Sequence, residues 1–143
     1  MTRIDFYILP DTSGESREAY ACRIAEKAYQ MGRHVFMHSE SAEQSQRMDE
    51  MLWSFRAGSF IPHSLQSDNS STTTAVTIAH DIEPIDNTDV LINLAQTAPV
   101  FFSRFERVAE IVDQAPQHKD KARERFRFYR DRGYELQHHN IQQ

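Results

Sequence analysis

The sequence has one cysteine, Cys22, and no long apolar run. A single cysteine excludes an internal disulfide and leaves a cysteine-based zinc site without its other ligands. Between Ala21 and Ala25, Cys22 is predicted to be a small core residue. No window approaches the ~18 apolar residues that a membrane span needs, and residues 1–5 do not resemble the start of a secretory signal. These absences predict a cytoplasmic protein with no membrane association and no metal centre.

Glycine is also scarce. The four glycines are Gly14, Gly32, Gly58 and Gly133. They lie too far apart for a G-x-G-x-x-G or Walker loop, and no serine occurs in a G-x-S-x-G motif. His34 and His38 flank a predicted strand, in which four residues span roughly 13 Å, so they are not expected to share a metal. We therefore expect no cofactor and no catalytic activity in the isolated chain.

Short apolar runs alternate with stretches of helical spacing along the chain. Strands are predicted over 4–9, 35–37, 75–79, 90–94, 108–112 and 134–137, and helices over 16–31, 42–53 and 118–132. Gly32 and Gly133 are predicted C-caps, and Ser41 with Gln44 matches a capping box. Residues 99–105 should form a short helical turn or a loop, 66–74 a polar loop, and 138–143 a loose tail. The pattern predicts one domain over 1–143, a three-layer α/β/α fold with a mostly parallel central sheet.

Charge is unevenly distributed in this chain, whose formal net charge is -5. Segment 117–132 has seven basic and three acidic residues, which gives +4. The remainder has 9 basic and 18 acidic residues, which gives -9. A basic stripe on an otherwise acidic protein indicates a local acidic partner, and the acidic remainder disfavours broad coating of nucleic acid.

The basic stripe is predicted to follow one face of the last helix. Its members are Lys119, Arg123, Arg127 and Arg130, with Phe126 and Tyr129 adjoining. One interpretation is a solvated helix whose long side chains cover the core. The other is a groove for a carboxylate-bearing peptide, since the arginine fork can hold a carboxylate bidentately and the aromatic rings can hold an apolar side chain.

A second candidate site contains the only tryptophan, Trp53, followed by the irregular segment 59–63 with Phe60, Pro62 and His63. Large aromatic side chains beside a proline-containing stretch often anchor protein interfaces. They can equally close the edge of a sheet as core residues. The sequence pattern leaves these two interpretations open.

At these two features the sequence resembles the chi subunit of bacterial DNA polymerase III, over nearly the whole chain. The segments that carry the resemblance are 5–9, 48–53, 59–63, 89–94, 101–113 and 122–130. Their order and spacing together are more specific than any one of them. The family commonly has tyrosine where this chain has Phe126, so a hydroxyl is absent at that position.

The resemblance implies a non-catalytic accessory subunit of the clamp loader. The nucleotidyltransferase activity would belong to the polymerase holoenzyme that contains it. It implies two partners, the psi subunit and the acidic C-terminal tail of single-stranded DNA-binding protein, so that contact with DNA is indirect. Arg123 would bind the terminal carboxylate of the tail, in a site shared with Phe126, Arg127, Arg130 and Lys119. Trp53, Phe60 and Pro62 would meet psi or a competing helicase.

Two alternatives stay open. The basic helix 118–132 could bind single-stranded nucleic acid directly, which would require an affinity that falls steeply with salt. The chain could also be a small enzyme on an α/β scaffold, which would require a pocket with convergent titratable groups.

Overall fold

The computed structural model describes residues 2–10, 14–55, 60–66, 74–84 and 89–141. The strands are β1 (Arg3–Ile8), β2 (Val35–His38), β3 (His63–Leu65), β4 (Val76–Ala79), β5 (Val90–Asn93), β6 (Arg107–Val112) and β7 (Glu135–Asn140). The helices are α1 (Gly14–Gln30), α2 (Ala42–Ser54) and α3 (Pro116–Asp131), with a 3₁₀ turn over Phe102–Arg104. No helix in the described part of the chain is long and apolar enough to cross a membrane.

The seven strands form one sheet in the order β3-β4-β2-β5-β6-β1-β7, and every pairing between them is parallel. β4, β5 and most of β6 are buried, as expected of parallel strands covered on both faces. The predicted α/β class with a mostly parallel sheet is therefore confirmed. β1 lies between β6 and β7, two strands that come more than 100 residues later in the chain.

An apolar cluster lies between the sheet and the helices on each face of the sheet. One cluster packs α1 and α2 on the first face of the sheet, where Cys22, Met48 and Ile92 are completely buried. The other packs α3 on the opposite face through Phe6 and Tyr129. This arrangement is the predicted three-layer α/β/α architecture.

Local signals fix the ends of the helices as predicted. Gly32 and Gly133 have φ values of 75° and 81°, a region that glycine enters without steric cost. Ser41 caps α2 by accepting a hydrogen bond from the Gln44 amide at 3.2 Å. The Gln44 side chain in turn accepts from the amide of Glu40 at 2.7 Å, so the capping box reaches one residue further back than usual.

The structure differs from the sequence prediction at both edges of the sheet. β7 extends to Asn140, so the prediction of a loose tail over 138–143 is wrong for 138–140, and 142–143 lie outside the described residues. Parallel pairing with β1 holds this polar segment in place. β3 was not predicted because it is only three residues long and follows Pro62. Of the predicted polar loop 66–74, residues 67–73 lie outside the described residues.

Candidate functional site

Helix α3 has an inner face that fixes how the helix lies on the sheet. Arg125 and Tyr129 point inward and are buried, as is Ala122. The Arg125 Nε donates to Oε1 of Glu110 at 2.9 Å, and the Tyr129 hydroxyl donates to Oε2 at 2.7 Å. The Asn93 amide also donates to Glu110 Oε2, at 3.0 Å. Glu110 is fully buried on β6, and these three donors stabilise its charge in the interior.

This network corrects one sequence expectation. Tyr129 does not adjoin the basic stripe but lies on the opposite side of α3, where burial and the neighbouring Glu110 raise its pKa above the ordinary value. The basic residues of the helix therefore divide into a buried Arg125 and an exposed stripe. A glutamate within the apolar run of β6 was the one available signal that a buried cation would face it.

One side of α3 forms a groove with the end of the sheet, here called the α3 groove. Its cavity is about 400 Å³, and its lining residues are Phe6, Ile8, Val112, Gln114, Lys119, Ala122, Arg123, Phe126, Arg127, Arg130 and His138. All five residues predicted to share a site on this helix line this one cavity. The structure thus brings the predicted residues together, although their roles remain predictions.

The floor of the α3 groove is aromatic. Phe126 is half-buried, with its ring centroid 5.6 Å from that of Phe6 in an edge-on contact and 5.1 Å from that of His138. His138 is exposed on β7 and lies beside these two rings. The floor can therefore hold an apolar or aromatic side chain.

The rim of the α3 groove is cationic, and its charges are accessible. Arg123 pairs with Asp120 at 3.3 Å and Arg130 with Asp131 at 3.2 Å, and in both pairs each side chain is more than half exposed. Such exposed pairs contribute little stability, so a ligand carboxylate can replace them at small cost. An apolar floor with a cationic rim suits a peptide that carries both an apolar side chain and carboxylates.

The second predicted site lies at the β3 edge, where Trp53 and Phe60 form an exposed aromatic patch. Their side chains are 59% and 68% exposed, and their ring centroids lie 5.6 Å apart in an edge-on contact. Of the two interpretations of Trp53, the core position is therefore wrong. Pro62 is half-buried behind the patch, and its carbonyl accepts from the Val76 amide at 3.0 Å. Leu65 on β3 extends the exposed apolar surface.

His63 supports the aromatic patch from below. Its side chain is almost fully buried, with Nδ1 lying 2.7 Å from the Ile61 carbonyl and Nε2 lying 3.1 Å from the Asp49 carbonyl. Its ring meets the Trp53 ring edge-on with centroids 4.8 Å apart. His63 therefore joins β3 to α2 and packs against the tryptophan.

A cleft of about 650 Å³ lies at the carboxyl ends of the central strands, the usual ligand position in this class of fold. Several ionisable side chains line it, and three ion pairs involve these residues. The pairs are Arg47 with Glu18 at 2.8 Å, His118 with Asp113 at 2.7 Å, and Arg125 with Glu110 at 2.9 Å. These pairs hold neighbouring elements together, and the Ser41 hydroxyl that lines the cleft caps helix α2.

The cysteine and the two histidines considered for chemistry each pack against other residues of the fold. Cys22 is fully buried, and burial, with a contribution from Glu18, raises the pKa of its thiol to about 12. His34 lies 3.7 Å from Asp89, whereas His38 packs against Phe101 at 5.4 Å, where burial lowers its pKa. No group of three or more potential metal ligands occurs within the described ranges.

Comparison with known proteins identifies the family. A model of the "DNA polymerase III chi subunit, HolC" matches residues 1–137. A DNA polymerase III subunit chi from Pseudomonas aeruginosa is 43% identical over 141 residues, which cover 99% of this chain and 98% of the relative. The Escherichia coli subunit of the same name is 32% identical, with 95% and 96% of the two chains covered. The chain belongs to the DNA polymerase III chi subunit family.

As a chi-family chain, it is an accessory protein of DNA replication and a subunit of a multi-subunit polymerase complex. A Haemophilus influenzae chi subunit is 31% identical over 137 residues. Among solved structures, T4 UvsW matches with a TM-score of 0.71 at 9% identity, over 98% of this chain and 41% of UvsW. At that identity the likeness shows only a shared fold. Of the segments that suggested chi from sequence, 5–9, 101–113 and 122–130 contribute residues to the α3 groove, and 48–53 contributes Trp53 to the aromatic patch.

Proposed function

We propose that this chain is a non-catalytic adaptor of the DNA polymerase III clamp loader in the cytoplasm. It links the loader, through the psi subunit, to the acidic C-terminal tail of single-stranded DNA-binding protein. The observation that carries the proposal is the α3 groove, in which an apolar floor and four cationic side chains surround one cavity. A tail that ends in phenylalanine and a free carboxylate complements both parts of this groove.

The positions of the groove residues support the roles proposed for them. Arg123 is exposed and lies one helical turn before Phe126, which is half-buried, and Arg127, which is exposed. The Arg123 fork can therefore bind the terminal carboxylate while the terminal ring packs on Phe126. Arg130 and Lys119 stand at either end of the stripe, where they can meet acidic residues further along the tail. The missing hydroxyl at Phe126 makes the floor more apolar than a tyrosine would.

The aromatic patch is proposed to bind psi, or a helicase that competes with psi. Exposed Trp53 and Phe60 are typical of interface anchors, because a partner can desolvate both rings at once. The patch lies beside β3, and the α3 groove lies over β1, five strand positions away in the sheet. At a spacing of about 4.8 Å this is roughly 24 Å, enough for two partners to bind without contact.

The test of tail binding is fluorescence anisotropy with a labelled acidic peptide that ends in Ile-Pro-Phe. We expect micromolar affinity for the free carboxylate, and a loss of roughly 1–3 kcal/mol with Arg123→Ala or with the C-terminally amidated peptide. Arg132→Ala is the matched control, since this arginine of the same segment stacks on Phe128, 3.8 Å from the ring centroid, outside the groove. Equal affinity for the acid and the amide would refute carboxylate recognition.

Direct binding of single-stranded DNA by helix 118–132 is the alternative. A labelled oligothymidine in the same assay distinguishes the two, because phosphate contacts weaken steeply between low and physiological salt. Tight oligonucleotide binding that is lost with Arg123→Ala would replace the adaptor proposal with direct DNA binding.

A further inference from the structure

We propose that a cleft on the α1 face of the sheet binds an acidic segment of another protein that carries one bulky apolar side chain. This α1 cleft has a volume of about 260 Å³ and lies between helix α1 and strands β1, β5 and β6. It is separate from the α3 groove, which lies on the opposite face of the sheet, and from the aromatic patch at the β3 edge. The inference does not rest on either site of the proposed function.

The cleft exists because α1 covers only part of its face of the sheet. The helix packs on β2, β5 and β6 and meets β1 through Tyr20, whose ring centroid lies 5.6 Å from that of Tyr7. Tyr7 also stacks on His139 of β7, with ring centroids 4.8 Å apart. The space between α1 and the neighbouring strands forms the α1 cleft, which a ligand can enter.

The inside of the α1 cleft is apolar. Ala28, Val90 and Ala109 form its floor, and Ile24 and Met31 of the α1 side form one wall. Met31 is 62% exposed, one of the few large apolar side chains left at the surface of the described residues. A cavity of this size accommodates one branched or aromatic side chain.

The rim is cationic in a chain that is otherwise acidic. Four basic residues line the cleft: Arg23, Lys27, Arg33 and Arg107. Asp5 is the one acidic lining residue, and its carboxylate is already hydrogen-bonded by Arg3, Arg107 and His139 at 2.9–3.3 Å. The cleft therefore presents excess positive charge although the chain carries -5 overall.

The rim charges can be reached by a ligand. Arg23 and Lys27 are exposed one turn apart on α1, and Arg23 extends over the Tyr20 ring at 5.2 Å. Arg33 pairs with Glu106 at 2.9 Å, but 47% and 63% of these two side chains remain exposed, so a ligand carboxylate can take the place of Glu106. Charge complementarity thus selects an acidic ligand, and the apolar floor selects an apolar residue within it.

A peptide fits this arrangement better than a nucleic acid does. Non-specific binding of single strands uses a groove that follows about four or more nucleotides with successive stacking rings. The α1 cleft is a single compact cavity of about 260 Å³, and its two aromatic lining residues, Tyr7 and Tyr20, pack against each other with ring centroids 5.6 Å apart. One apolar side chain flanked by carboxylates satisfies both its floor and its rim.

The test uses a labelled peptide, acetyl-Asp-Glu-Asp-Leu-Glu-Asp-amide, blocked at both ends so that it offers no terminal carboxylate to the α3 groove. Anisotropy with the full chain should show saturable binding that weakens roughly tenfold in the double variant Arg23→Glu, Lys27→Glu. Lys121→Glu, Arg132→Glu carries the same change in charge on the α3 segment and should bind as the wild type does. Replacing the peptide leucine by serine should weaken binding about fivefold to tenfold.

Three results would overturn the proposal. One is equal weakening in the two double variants, which would mean general charge attraction. Another is loss of binding in Arg123→Glu alone, which would locate the peptide in the α3 groove. The third is absence of peptide binding at low salt together with Arg23- and Lys27-dependent binding of a labelled oligothymidine, which would make the cleft a nucleic-acid site.

Met31→Ser changes an exposed side chain and leaves the rim intact. It should weaken peptide binding several-fold without affecting the salt dependence of that binding.

Discussion

The Tyr129 hydroxyl donates a 2.7 Å hydrogen bond to Oε2 of Glu110, which joins the last helix to the middle of the sheet. Both side chains are fully buried. Because Glu110 is buried away from solvent, each donor around it matters more than a surface hydrogen bond would. The orientation of α3, and with it the α3 groove, depends on this contact.

Removing that hydroxyl should therefore destabilise the fold. Tyr129→Phe keeps the ring packing and leaves Glu110 with one donor fewer, so the free energy of unfolding should fall by about 1–3 kcal/mol. Urea unfolding followed by circular dichroism measures this. Tyr134→Phe changes a half-buried tyrosine outside the network and is the control. Equal effects of the two substitutions would contradict a special role for Glu110.

Alanine substitution at two arginines of α3, two residues apart, should change the free energy of unfolding by very different amounts. Arg123 is 65% exposed, so Arg123→Ala should change the free energy of unfolding by less than about 0.5 kcal/mol. Arg125 is buried against Glu110 at 2.9 Å, so Arg125→Ala leaves an unpaired buried carboxylate and should cost about 3–5 kcal/mol. Thermal unfolding of both variants measures the contrast. A collapse of stability in Arg123→Ala would mean that its proposed binding role is misassigned.

Phe60→Ala should affect partner binding and not folding. The ring is 68% exposed, so the melting temperature should change by no more than about 2 °C. Binding to psi should weaken by about 2 kcal/mol or more, measured by calorimetry and by co-elution, since anchor residues at the centre of interfaces have effects of that size. Met48→Ala removes a fully buried side chain and should lower stability by about 2–5 kcal/mol. An unfolded Phe60→Ala protein would contradict the exposed position.

Asp5 should make the fold sensitive to acid. Burial alone raises the pKa of this carboxyl, but hydrogen bonds from His139, Arg3 and Arg107 outweigh burial and hold its pKa below the ordinary value. Because the folded-state pKa is lowered, this stabilisation is complete above the unfolded-state pKa, about 4, and is lost as pH falls through the folded-state value. Asp5→Asn should be less stable near neutral pH and show a shallower decline below about pH 4.

Urea midpoints measured from pH 7 down to pH 2.5 would test this prediction. Asp120→Asn, which removes an exposed carboxylate, should follow the wild-type curve. If Asp5→Asn and wild type lost stability in parallel throughout this range, the hydrogen bonds to Asp5 would contribute nothing to acid sensitivity.

Sequence reasoning succeeded where local signals determine the structure. Gly32, Gly133 and the Ser41 cap marked helix ends, and the apolar runs marked most strands, because caps and periodicity depend on neighbours in sequence. The basic stripe was found for the same reason, since helical spacing alone brings Arg123 and Arg127 to one face.

The failures concern positions decided by distant partners. Polar β7 forms a strand because β1 offers it a free edge, and nothing within 138–140 indicates this pairing. The buried position of Tyr129 depends on Glu110, 19 residues earlier. The α1 cleft was not predicted, because it arises from how far α1 extends across the sheet, and helical spacing carries no information on that extent.

The place of β1 between β6 and β7 has a consequence for synthesis on the ribosome. Arg3 pairs with Arg107 on one side and Glu135 on the other, so β1 is translated more than 100 residues before either neighbour. At about 5–20 residues per second, this leaves Ile4 and Phe6 without sheet partners for roughly 5–20 seconds. During that interval an early strand with two open edges is a target for chaperones and for aggregation, and release of the nascent chain before residue 140 would leave one edge open permanently.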